Sequence, residues 1–102
     1  MRVIRQLPLQ TFWENHPAAE QPLKDWYRIT SKAAWRDFPQ VKATFGQTDQ
    51  ATVKSGNTVA IFDIGGNKYR LIAKISYAKG KVYVLRVLTH REYDKEAWKE
   101  QL

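Results

Sequence analysis

Cysteine is absent from the 102 residues, and its absence excludes a disulfide framework, a thiolate zinc site, an iron–sulfur cluster and a cysteine nucleophile. Long apolar runs are missing too. None approaches the roughly 18 residues needed to span a bilayer, and the start runs from Arg2 to Arg5 without a signal-peptide stretch. A cytoplasmic protein with no membrane contact is therefore expected. Proline and glycine are few, 4 and 5, and no repeat, low-complexity tract or Ser/Pro-rich linker divides the chain. The 43% hydrophobic and 13% aromatic residues are the composition of one packed domain spanning 1–102.

Acidic residues are the minority charge. Seventeen Lys+Arg against 10 Asp+Glu give +7, and the excess is uneven: +2 over residues 1–50 and +5 over 51–102. The second half is thus where a polyanion would be drawn, by a salt-dependent attraction that does not read sequence.

Met1 to Gln6 reads as a short strand ended by Pro8, and Leu9 to Asn15 as a short helix that stops before His16-Pro17. From Ala18 to Trp35, Leu23, Trp26, Tyr27, Thr30, Ala33 and Ala34 recur every three or four residues, which predicts one long amphipathic helix. Asp37 can cap a further short helix through Phe45, and residues 47–57 read as a polar, turn-rich connection. Beyond Gly56-Asn57 the period changes to two, giving strands over about 58–64, 67–77 and 81–90. Gly65-Gly66 forms a two-residue turn pairing Ile64 with Asn67 and Phe62 with Tyr69.

The second turn decides the chemistry. A two-residue loop would set Arg70 opposite Thr89 and mix charged with apolar side chains on both faces. A three-residue loop, with Gly80 in the left-handed conformation, pairs Tyr77 with Lys81 and separates the faces. The segregated register is expected. Phe62, Tyr69, Leu71, Ala73, Ile75, Tyr77, Tyr83, Leu85 and Val87 then lie under the helices, while Lys68, Arg70, Lys74, Ser76, Arg86 and His90 line an open face, with Ile72, Val82, Val84 and Leu88 among them. Arg91 to Leu102 forms a short helix with Tyr93, Ala97 and Trp98 turned inward. The architecture is α+β: an N-terminal strand and helices on one face of an antiparallel sheet, then a short C-terminal helix.

Arg70, His90 and Tyr93 so grouped suit phosphodiester cleavage of RNA. The reaction needs a base near the 2′-hydroxyl, charge stabilisation on the phosphorane and an acid for the departing oxygen. Asn67, Lys68, Lys74 and Arg86 would bind the RNA. Duller readings exist for each: a strand-end histidine as a cap, Lys68, Arg70 and Lys74 as a solvated face, Tyr93 as a core tyrosine, and the four tryptophans as core or partner interface. Asp63, Glu92, Asp94, His16 and His90 have no recognised metal spacing, and no metal or cofactor is expected.

Two motifs carry a resemblance. Asn67-Lys68-Tyr69-Arg70 within Phe62 to Ile72, and Thr89-His90-Arg91-Glu92-Tyr93-Asp94, together with His16-Pro17, Trp26-Tyr27, Trp35 and Val41-Lys42, resemble the HigB-type toxins of the RelE superfamily from about His16 to Trp98. The resemblance implies a compact RelE-like fold and a metal-independent endoribonuclease acting on mRNA at the ribosome. It also implies inhibition by a HigA-type helix-turn-helix antitoxin, through which alone the protein would meet DNA. Asn67, Arg70, His90 and Tyr93 carry over directly, whereas Asp63 departs from the pattern and sets a negative charge beside the phosphate groove. A non-catalytic RNA- or ribosome-binding module, or a structural corepressor subunit, would share the same basic face.

Overall fold

The computed structural model describes residues 1–102. Strand β1 (Arg2–Ile4) leads into helix α1 (Leu7–Asn15), a single 3-10 turn (Pro17–Ala19), α2 (Glu20–Lys32) and α3 (Phe38–Thr44). Strands β2 (Asp49–Thr52), β3 (Thr58–Ile64), β4 (Tyr69–Ser76) and β5 (Lys81–Thr89) follow, and α4 (His90–Asp94) and α5 (Ala97–Gln101) close the chain. The five strands form one sheet in the order β1-β5-β4-β3-β2, antiparallel except where β1 runs parallel to β5. No helix is long and apolar enough to cross a membrane.

The helical half departs from the sequence expectation at its ends. Pro8 does not end the strand but sits in the first turn of α1, where its missing N–H has no helical partner to lose. The long amphipathic stretch is divided, because Pro17 starts a separate turn and Ala33 is already extended, with ψ 157°. Its apolar stripe survives: Leu23, Trp26 and Thr30 are buried against the sheet. Asp37 caps α3 by accepting the Gln40 N–H at 3.1 Å. Asp49–Thr52, read as part of a loop, is the outer strand; as an edge with mostly exposed polar side chains it leaves no alternating pattern to detect.

Both hairpins turn through four residues. Gly65 and Gly66 have the positive φ a tight turn demands, 63° and 74°, but the turn continues through Asn67 and Lys68, so Ile64 pairs with Tyr69 rather than Asn67. The Lys68 carbonyl accepts from His90 N–H at 3.0 Å and the Asn67 carbonyl from Arg70 at 2.8 Å, which draws both residues away from β3. A shift of two preserves side-chain parity, so the faces of β3 and β4 remain as expected. In the second hairpin Ser76 pairs with Lys81, and a bulge interrupts the ladder between Ile72 and Ala73. The expected register, with Arg70 opposite Leu88 and Leu71 opposite Val87, holds on the site side of the bulge and is lost on the turn side. Val82 and Val84 consequently enter the helix-side core, and Leu85 packs on the opposite face.

That opposite face is not free of helices. Trp98 of α5 is 2% exposed and packs with Val53, Val59, Ile61 and Ile72 into a second, smaller core, while Ala97 stays exposed instead of turning inward. The left-handed Glu96, φ 60°, breaks the C-terminal segment into two and swings the indole inward. Truncating Trp98 to alanine should cost about 3–5 kcal/mol through the cavity it leaves. Urea unfolding would measure it, and a loss below about 1 kcal/mol would mean that the indole does not dock.

Candidate active site at the strand ends

Arg70 projects from β4 on the Trp98 side of the sheet, directly opposite Asp63 of β3. Its Nε lies 3.1 Å from Asp63 Oδ1, with the two side chains 12% and 25% exposed. Its Nη1 donates to the carbonyls of Asn67 and Tyr69 at 2.8 and 3.2 Å. The guanidinium carbon sits 5.2 Å from the centre of the Tyr93 ring, a cation–π contact. Only Nη2 is left without a protein partner, so the fork is held rigid with two N–H groups unspent.

Tyr93 is supported from behind by Trp98, whose ring stacks on it at 5.4 Å and whose Nε1 donates to the Tyr93 carbonyl at 3.1 Å. Burial pushes the Tyr93 hydroxyl above the ordinary phenol value; Arg70 and Lys99 pull the other way, and Asp49 and Asp63 push further up. The phenol therefore stays protonated through neutral pH and can donate a hydrogen bond or proton.

His90 opens α4, a helix fixed by its first turn. Thr89 Oγ1 accepts from Glu92 N–H at 3.2 Å and the Glu92 carboxylate accepts from Thr89 N–H at 2.9 Å, a reciprocal cap. His90 Nδ1 lies 2.7 Å from Asp94 Oδ2, one helical turn on. An ionised carboxylate only accepts, so Nδ1 carries the hydrogen, and Nε2 of this half-exposed ring has no partner in the protein. His90 and Tyr93 are three apart on this helix and so are surface neighbours, although no hydrogen bond joins the imidazole to Arg70 or Tyr93.

The remaining predicted residues disperse. Asn67 and Lys68 lie in the β3–β4 turn, next to Arg70 and the His90 backbone respectively. Arg86 faces a groove between α1 and β5 of about 610 Å³, shared with Arg5, Thr11, Phe12, His16 and Glu92. Lys74 stands apart, four residues up β4 and hydrogen-bonded to Asn57 Oδ1 at 3.3 Å, so it does not join the cluster around Arg70. No three His, Asp or Glu side chains converge in a way that could hold a metal ion. Two partners escaped the sequence reading. Asp63 was hidden because the two-residue turn set it opposite Lys68, and Asp94 announces itself only by its spacing of four from His90.

A basic α+β domain with its first three helices packed on one sheet face, and an arginine against a tyrosine where the strands end, the tyrosine sharing its short helix with a histidine, is a RelE-like domain. Residues 19–96 match the family described as HigB_toxin, the RelE-like toxic component of a toxin-antitoxin system, and the chain belongs to that family. It is 29% identical over 94 residues to the mRNA interferase toxin HigB of Escherichia coli strain K12, covering 92% of this chain and 88% of that one. It is 26% identical over 95 residues to the mRNA interferase HigB of E. coli O6:H1 strain CFT073, covering 93% and 90%. Membership makes this chain the toxic half of a pair that includes an antitoxin.

Proposed function

We propose that the protein cleaves mRNA during translation at the Arg70–Tyr93–His90 cluster, and that a HigA-type helix-turn-helix antitoxin holds it inactive. The observation that carries this reading is the Arg70 guanidinium, clamped by Asp63 and lying 5.2 Å from the centre of the Tyr93 ring, on whose helix His90 stands three residues earlier with its Nδ1 already engaged. Names of relatives as mRNA interferases support it.

In this mechanism His90 Nε2 takes the proton of the ribose 2′-hydroxyl, whose oxygen attacks the adjacent phosphorus. Arg70 Nη2 donates to the phosphorane oxygens as negative charge gathers there. The P–O5′ bond breaks, and Tyr93 passes its hydrogen to the departing oxygen, leaving a 2′,3′-cyclic phosphate and a 5′-hydroxyl. Asn67 and Lys68, in the turn beside Arg70, position the strand. Primer extension on a translated message should reveal discrete new 5′ ends when the toxin is induced without its antitoxin. Translation arrest with an intact message would instead mark a non-catalytic binder, and cleavage of the same message without ribosomes would refute the dependence on translation.

A further inference from the structure

The groove between α1 and β5 has no part in the chemistry just described, yet its polar groups are largely unspent. β1 covers the edge of β5 only from Lys81 to Tyr83, so past Ile4 the strand edge is open and α1 forms the facing wall. His16 is pinned at the end of α1: its N–H donates to Phe12 O at 2.9 Å, its carbonyl accepts from Ala19 at 2.8 Å, and Pro17 follows. Its imidazole stacks on Phe12 with centroids 4.4 Å apart and planes at 25°, and Tyr69 stands edge-on to Phe12 at 5.4 Å. No hydrogen bond or ion pair engages the His16 ring or the Arg5 guanidinium, and Arg86 spends one nitrogen, on the Leu85 carbonyl at 2.9 Å. The carboxylate in the groove, Glu92, is already tied to the Thr89 N–H.

The geometry points to a nucleotide subsite here: one base of single-stranded RNA stacks on the His16–Phe12 pair and the adjoining phosphates sit between Arg5 and Arg86. A volume of about 610 Å³ suits a nucleotide, and a fixed aromatic platform flanked by arginines is the chemistry by which unpaired bases and their backbone are held. An acidic peptide would use the arginines but would have no need of the stacked pair. The groove reaches Glu92 on α4, the short helix that also carries His90 and Tyr93, so one helix borders both the groove and the proposed cleavage residues. This inference rests on the RNA-cleaving reading and adds a substrate-positioning site to it.

The test is a titration of the intact protein with a short oligoribonucleotide carrying 2′-O-methyl groups, which cannot be cleaved, followed by NMR. Shifts of the His16, Phe12 and Arg86 signals are expected, with Kd raised about tenfold by His16→Ala and by Arg5→Gly. Glycine is apt at position 5 because the arginine there has φ 68°, a conformation glycine adopts without strain, so the turn is retained. In cleavage of translated message the same variants should raise the apparent KM more than they lower kcat. Shifts confined to Arg70, His90 and Tyr93 would overturn the subsite while leaving the nuclease reading in place. Groove signals that respond to the antitoxin but not to RNA would overturn it in favour of a protein partner. Loss of cleavage in the parent protein itself would count against the nuclease reading, and RNA-dependent shifts in the groove would still uphold the subsite.

Discussion

Alanine at Arg70 or at His90 should lower cleavage of a translated message by about a hundredfold or more, since removing one preorganised transition-state donor costs on the order of 3 kcal/mol. The two substitutions differ in what else they disturb. Arg70→Ala leaves Asp63 without its cation at a site where that carboxylate is largely buried, so some stability is lost along with activity. Arg70→Lys separates the effects: an ammonium can still pair with Asp63, but it lacks the second arm that reaches phosphate, so stability recovers while cleavage does not. His90→Ala removes a half-exposed ring and should leave the melting temperature close to that of the parent. Cleavage by primer extension and stability by thermal unfolding, measured on the same preparations, check both. Parental toxicity of either alanine variant at equal expression would remove that residue from the mechanism.

Leu71→Asp should prevent folding altogether. The side chain is fully buried in the helix-side core with Phe62, Trp26 and Val84, and an unpaired carboxylate there costs as much as a domain of this size has in total stability, about 5–15 kcal/mol. Lys74→Asp, three positions along the same strand, is the matched control. Lys74 is exposed, its one side-chain bond is a long one to Asn57, and the variant should remain within about 0.5 kcal/mol of the parent. Circular dichroism with urea unfolding distinguishes them; a soluble, cooperatively folding Leu71→Asp protein would show that the two faces of β4 have been interchanged.

Parity explains why so much of the site could be read in advance. Arg70 and Leu71 were assigned to opposite faces by alternation alone, and the error of two in the first hairpin register left that assignment intact while concealing the pairing of Arg70 with Asp63. Tyr93 and His90 were likewise legible, being three apart at a strand-to-helix junction whose Thr89 and Glu92 make the cap. The bulge opposite Ile72 was not. It depends on how Val82, Val84 and Leu85 share space between the two cores, and no local pattern distinguishes those apolar residues. Parity places Lys74 and Arg86 on the face of Arg70 but says nothing of where their long side chains reach, which is to Asn57 and to the α1–β5 groove.

The amino-acid order alone determined the class of fold, the helix stripe of Leu23, Trp26 and Thr30, the faces of β3 and β4, and the residue types available for chemistry, because these follow from periods of 3.6 and 2 and from side-chain identity. Tertiary structure decided the rest. It docked Trp98 onto the face expected to be open, set Arg70 between Asp63 and Tyr93, and brought His16 from the first helix to the edge of the last strand. Apart from the hairpin pair of Arg70 and Asp63, those contacts join residues far apart in the chain, and the choice among them is made by the volume and charge each arrangement buries, which no short stretch of sequence contains.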